Sequence, residues 1–312
     1  MSGLTYAELR SAVMQHHRNK TYTEGLDLIA REESRFRQYT GRIAHWRACL
    51  YGAAGFPAEA LQALQDAVAA GHWYTQGALD LPDLKSIQAL PGFEPLQALC
   101  QERMTKAQAQ AKPFLISNLY ASAPQPAPLL LTMHGNFSNA TESAPLWEGA
   151  LAEGWFLGLA QSSQVSGPDV YVWNDWDLAE AEIKAHYGAL CENFATDCDR
   201  TVLGGFSMGG GLAVWLAVTG ALAVKAFVAV GPWIDDVERL APHLAAARDR
   251  GLRGYLFVGD QDNLCLPKAE RMAELYAANG VPCELEIHPG LGHEYPATGD
   301  WLKRALAFVT NA

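Results

Sequence analysis

A serine becomes a nucleophile only where the backbone thrusts its hydroxyl forward and a neighbouring base can take its proton. Gly205-Phe206-Ser207-Met208-Gly209 has the form G-x-S-x-G, but in a chain with 28 glycines that pattern is weak by itself, so its surroundings decide. Thr201-Val202-Leu203 enters it as a β-branched and apolar strand, and Gly209 to Thr219 leaves it as a helix. A sharp strand-to-helix turn at a serine is a nucleophile elbow, which strains the serine backbone. Both flanking positions must then be small, and Gly205 and Gly209 are. The base and the acid that orients it have to come from elsewhere in the chain. His243, His288 and His293 are the histidines that follow Ser207, and Asp235, Asp236, Asp260 and Asp262 stand near predicted strand ends.

Elements able to position such groups are legible from Lys112-Pro113 onward. Seven β-rich runs are predicted, at Phe114 to Tyr120, Leu129 to Met133, Trp155 to Ala160, Thr201 to Phe206, Lys225 to Val230, Arg253 to Val258 and Cys283 to His288. Helical patterns at Leu178 to Phe194, Met208 to Thr219, Lys268 to Asn279 and Thr298 to Val309 separate the later runs. Strands alternating with helices predict an α/β fold with a mainly parallel sheet. Ala121 to Pro128 holds three prolines and is predicted to be a loop.

Over residues 113 to 312 these features resemble the α/β-hydrolase superfamily, in its compact carboxylesterase, phospholipase and dienelactone-hydrolase-like branch. The resemblance implies an oxyanion loop at His134-Gly135-Asn136-Phe137, where the N–H of Asn136 or of Phe137 would join that of Met208 in binding a developing oxyanion. It also implies a triad in the order serine, acid, histidine. The family pattern of glycine, two residues, aspartate, then a hydrophobic residue and proline selects Asp262 in Gly259-Asp260-Gln261-Asp262. One extra residue before Leu266-Pro267 keeps Asp260 as an alternative. Gly290-Leu291-Gly292-His293 lies on a loop after the last strand, as the family's histidine does, which favours His293 over His288. His293 would then deprotonate Ser207, Asp262 would fix the imidazole, and water would release the acyl group. Trp173, Trp176 and Trp233 sit on loops at the implied active-site edge, where they would wall an apolar acyl pocket or pack in the core. Gly231 to Gly251 leaves room for about one short helix, so no large lid is expected.

Composition narrows the function classes. The net charge of −11 is unevenly placed: residues 113 to 312 carry 11 Lys+Arg against 23 Asp+Glu. So acidic a domain repels phosphate backbones and anionic lipid, which argues against nucleic-acid and membrane partners. No G-x-G-x-x-G, P-loop or metal-ligand spacing is present, so neither cofactor nor metal is expected. The start, Met1 to Arg10, lacks the pattern of a signal sequence, and a cytoplasmic location is expected. Cys49, Cys100, Cys191, Cys198, Cys265 and Cys283 show no C-x-x-C spacing and are expected to be free thiols.

Residues 1 to 112 read as a separate all-α domain ahead of a catalytic domain at 113 to 312. Glu24, Leu26 and Ile29 recur as Glu59, Leu61 and Leu64, an offset of 35 residues that is near the tetratricopeptide period. Trp46, Gly55, Phe56, Ala60 and Leu61 resemble one such repeat, and Leu79 to Leu96 a partial closing one. So short a tetratricopeptide-like array buries too little of itself, so it should lean on the catalytic domain through Trp73, Tyr74 and Phe93, or on a homodimer or protein partner. The function expected is hydrolysis of small-molecule carboxylic esters or thioesters of small to medium acyl groups. The alternatives are a serine peptidase of prolyl-oligopeptidase type, which usually carries a β-propeller, and a non-catalytic adaptor on a hydrolase scaffold.

Overall fold

The computed structural model describes residues 4–118, 125–296 and 299–310. The chain divides into two compact units, Met1–Gln110 with Val165–Pro168, and Ala111–Gln164 with Asp169–Ala312. Hydrophobic periodicity places the boundary at 112 and cannot see the second segment. Val165 packs with the helical core, and its N–H donates to Gln108 Oε1 at 3.0 Å.

The first unit is built from α1 (Tyr6–Arg18), α2 (Tyr22–Glu32), α3 (Thr40–Ala53), α4 (Pro57–Ala69), α5 (Gln76–Leu79) and α6 (Phe93–Gln110). Thr5 and Glu8 form a capping box that satisfies orphan N–H groups at the start of α1, and Pro57 opens α4 where its missing N–H costs nothing. Successive helices α1 to α4 pack on one another, and their apolar stripes fill two small cores. Trp73, Tyr74 and Phe93, expected at an interdomain contact, are buried in the second of these cores beside Leu64 and Val68. The stretch read as a third repeat is no regular helix pair. It forms a 3₁₀ turn at Pro82–Ile87, and Pro91-Gly92 delays the next helix to Phe93.

The second unit carries β1 (Phe114–Asn118), β2 (Ala127–Met133) and β3 (Phe156–Gln161), then after the short strands β4 (Val165–Gly167, in the helical unit) and β5 (Val170–Tyr171), β6 (Thr196–Phe206), β7 (Ala226–Val230), β8 (Arg253–Gly259) and β9 (Cys283–His288). One seven-stranded sheet runs β1-β3-β2-β6-β7-β8-β9, parallel throughout except where β1 meets β3. Its helices are α7 (Ala140–Trp147), α8 (Gly149–Ala152), α9 (Trp176–Asn193), α10 (Met208–Thr219), α11 (Leu244–Asp249), α12 (Leu266–Ala278) and α13 (Trp301–Thr310). Side chains alternate across the sheet with period two. Leu129, Leu131, Phe227 and Leu256 pack under α9, α10 and α12, whereas Leu130, Val228, Tyr255 and Phe257 pack under α7 and α13. Helices thus cover both faces, as a mainly parallel sheet requires. The carboxyl ends of β2, β6, β7, β8 and β9 all reach one edge, on either side of the point where the strand order reverses, and that is where open α/β sheets bind ligands.

Two of the six cysteines are not free thiols. Cys191 in the last turn of α9 and Cys198 at the start of β6 form a disulfide with Cα atoms 6.0 Å apart, while Cys49, Cys100, Cys265 and Cys283 are reduced. Sequence spacing missed the pair because it depends on where the helix ends and the strand begins. No helix among the described residues is long and apolar enough to cross a membrane.

Candidate active site

Ser207 stands between β6 and α10 with φ 53° and ψ −120°, a left-handed backbone that a non-glycine residue adopts only under constraint. Its N–H donates to the Val230 carbonyl at 2.9 Å, and its own carbonyl accepts the Trp233 N–H at 2.9 Å. A Cβ at Gly205 would lie 2.2 Å from the Gly209 carbonyl oxygen, and one at Gly209 would lie 2.3 Å from that of His134. The turn therefore excludes any side chain at either position.

His293, on the loop after β9, places Nε2 2.9 Å from Ser207 Oγ and Nδ1 2.7 Å from Asp262 Oδ2. Its ring stacks on Phe206 with centroids 5.0 Å apart. Asp262 is only 2% exposed, and its second oxygen accepts the N–H groups of Leu264 at 3.2 Å and Cys265 at 3.0 Å. Burial pushes this carboxyl upward, but the bonds from His293, Cys265 and Leu264 outweigh it and hold the group below the ordinary carboxylate range. Asp262 is thus a carboxylate fixed from three directions.

The other sequence candidates lie outside this relay. Asp260 accepts the Gly290 N–H at 2.7 Å and so ties the β8 loop to the β9 loop. His288 faces the Pro289 carbonyl, and His243 meets Trp215 edge-on. Asp236 accepts the Glu238 N–H in a turn, and the backbone carbonyl of Asp235 accepts from Lys268.

The loop after β2 is clamped beside the elbow. Phe137 N–H donates to the Tyr171 carbonyl at 2.8 Å. Of the two expected donors, this leaves the Asn136 N–H, which makes no hydrogen bond among the described residues. Met208, the donor expected to join it, stands at the first position of α10, where its N–H has no intrahelical acceptor. The side chain of Asn136 is used for position: Oδ1 accepts the Trp173 N–H at 2.8 Å and Nδ2 donates to Asn174 Oδ1 at 2.8 Å. His134 is fully buried, with Nδ1 donating to the Gly135 carbonyl at 2.7 Å and Nε2 accepting from Ser162 N–H at 3.3 Å. Burial, only partly offset by the bond to Gly135, lowers its pKa to about 4, so the ring is neutral near pH 7.

Trp173 is corrected from a pocket wall to a buried brace. It is 0% exposed, its Nε1–H donates to the His134 carbonyl at 2.9 Å, and its ring lies 4.9 Å from that of His134. Trp176 is half-buried against Trp215. Trp233 is half-buried on Val258 and Cys265, with the Lys268 ammonium 4.2 Å from its ring centroid. Sequence reasoning missed Phe137 and Leu264 as apolar side chains at the site, 63% and 52% exposed, because exposure leaves no mark in a local pattern.

Among the described residues, Asp262, Cys265 and His293 are the one group of acidic, thiol or imidazole side chains with donor atoms close enough to share a metal ion, all within 4.8 Å. Two of the three are committed to each other. Burial first, and then the charge of Asp262, push the Cys265 thiol up and away from the thiolate a metal prefers. The donor set therefore suits a metal poorly, and its geometry suits proton transfer from a serine hydroxyl.

Two family models match the chain. Residues 5–108 match the A/B hydrolase-like, N-terminal domain, and residues 168–304 match the dienelactone hydrolase family. Among solved structures, an uncharacterized protein from Bacillus cereus ATCC 10987 is 26% identical, with a TM-score of 0.57, over 98% of this chain and 99% of that one. Esterase PE8 is similar over 63% of this chain and 97% of its own, at 20% identity and a TM-score of 0.53. No curated protein matches the sequence.

Proposed function

Because this chain is a member of the α/β-hydrolase superfamily, we propose that it is a serine hydrolase cleaving carboxylic esters or thioesters of small to medium acyl groups through an acyl-enzyme on Ser207. One observation carries the reading, the unbroken relay from Ser207 Oγ through His293 to buried Asp262 at 2.9 and 2.7 Å. In this mechanism Nε2 of His293 takes the hydroxyl proton as Oγ attacks the ester carbonyl. Charge gathers on the carbonyl oxygen, where the N–H groups of Asn136 and Met208 receive it. The imidazolium, held by Asp262, returns the proton to the departing alcohol or thiol. Water then attacks the acyl carbonyl as Nε2 takes its proton, the bond from carbon to Oγ breaks to release the acid, and the imidazolium returns the proton to Oγ, which regenerates the serine.

The match of residues 168–304 to the dienelactone hydrolase family supports an ester rather than a peptide substrate. The test is direct. A fluorophosphonate probe should label the wild-type protein at Ser207, and Ser207→Ala should lose labelling and at least about a thousandfold of its turnover of an activated ester with its melting temperature preserved. A folded Ser207→Ala protein with full turnover would overturn the mechanism.

A further inference from the structure

Two of the four described non-glycine residues with positive φ lie at the site: Ser207, which the elbow explains, and Phe137, which it does not. Phe137 follows the Asn136 N–H directly. The loop carrying it touches the elbow, since a Cβ at Gly135 would lie 2.7 Å from the Phe206 ring. At φ 61° a bulky aromatic is a genuine outlier, because its Cβ crowds the backbone; glycine or asparagine would fit the same turn with less strain. The conformation is enforced from both sides. Phe137 N–H donates to the Tyr171 carbonyl, Tyr171 N–H to that of Ser138 at 3.0 Å, and the Asn136 side chain is tied to Trp173 and Asn174. Strain held this firmly is typical of functional sites.

The fold gains little from the ring in return. It is 63% exposed, so its apolar surface stays largely in water. A second exposed apolar side chain, Leu264, stands on the loop that carries Asp262 and donates its N–H to that carboxylate. Two apolar groups on the loops that hold the oxyanion donor and the acid, in a catalytic half with 23 acidic against 11 basic residues, suit an uncharged ester with an alkyl or aryl group and disfavour an anionic one.

We infer that Phe137 is a specificity-determining residue, its ring the platform on which the apolar group of the ester packs when the carbonyl oxygen meets the Asn136 N–H. This rests on the serine-hydrolase reading above and adds the substrate class to it.

The experiment compares wild type with Phe137→Ala, Phe137→Gly and Phe137→Leu on two series followed by pH-stat: methyl esters from acetate to octanoate, and acetates from methyl to hexyl. The two series separate an acyl-side platform from an alcohol-side one. In one series kcat/KM of the wild type should rise with chain length. The Ala and Gly variants should flatten that rise, losing about tenfold at its long end and progressively less toward methyl acetate. Leu should restore much of it. Phe137→Gly should melt no lower than wild type, because it relieves the backbone. A loss equal at every chain length in both series, or a sharply lower melting temperature for the glycine variant, would overturn the inference. Fluorophosphonate labelling of the same proteins keeps the two readings apart: an unlabelled wild type sinks the serine mechanism, whereas a labelled set with no chain-length effect sinks only the role of Phe137.

Discussion

Two aspartates two positions apart, Asp260 and Asp262, have opposite surroundings: one is exposed and bonded to a backbone N–H, the other buried and bonded to His293. Asp262→Asn should cost about 10⁴ in kcat, the loss known where a triad aspartate is replaced and the histidine tautomer goes wrong, whereas Asp260→Asn should cost less than about tenfold. Steady-state kinetics of the two variants check this, and a reversed order would transfer the role to Asp260. His134 gives a prediction in pH. The unfolded chain binds its proton near the ordinary 6.5 and the buried ring only near 4, so its contribution to stability is complete above about 6.5 and is lost as pH falls toward 4. The shift is worth on the order of 3 kcal/mol, visible as a drop in denaturant stability over that window that His134→Gln should lack. Burial raises the carboxyl of Glu182, whose contribution instead fades as pH rises, so only the difference between wild type and variant isolates the histidine. Of these residues, Ser207 was legible as a candidate from its glycine-flanked turn together with the strand that enters it and the helix that leaves it. The choice of Asp262 and His293 needed the family resemblance, because which acid a histidine meets is decided by loops that no local period describes.

Elements were easier to read than sites. All seven sheet strands overlap the runs that announced them: the central β2 and β7 are buried at every position, while the edge strand β9 alternates Glu284 and Glu286 with Leu285 and Ile287. Helix α10 matches at both ends because Ser207 and Gly220, with φ 76°, are backbone breaks written in sequence. What could not be read is the clamp on the loop after β2, whose parts come from four places: His134 itself, Ser162 and Ser163 after β3, Trp173, and Glu182 of α9. Trp173 belongs to this device rather than to the substrate. Trp173→Phe keeps an aromatic ring but is smaller than the indole and leaves the His134 carbonyl without its donor. It should lower kcat by about tenfold with little change in KM, since a misplaced oxyanion donor is felt in the transition state. It should also destabilise the fold by about 1–3 kcal/mol for the unpaired buried carbonyl. Michaelis parameters with a thermal melt decide, and a variant that melts lower at undiminished kcat would make the contact purely structural.

At the scale of the molecule, the Cys191–Cys198 bridge closes a short loop at the junction of α9 and β6. By chain-entropy reasoning a loop this short is worth about 2–3 kcal/mol, so Cys191→Ser with Cys198→Ser should unfold at correspondingly lower denaturant. Wild type in reductant should match the double variant, and coincident curves with and without reductant would show that the bridge is not formed in solution. The division into units has a different kind of consequence. Val165–Pro168 lies within the sequence of the catalytic unit yet belongs to the helical one, so the chain passes between them three times, at 110/111, 164/165 and 168/169. A genetic exchange that broke the chain at 110 would strand four residues among foreign neighbours and leave a gap beside Val165's former partners in the helical core. An exchange of the helical unit would therefore have to carry residues 165–168 with it to keep the core that Val165 completes.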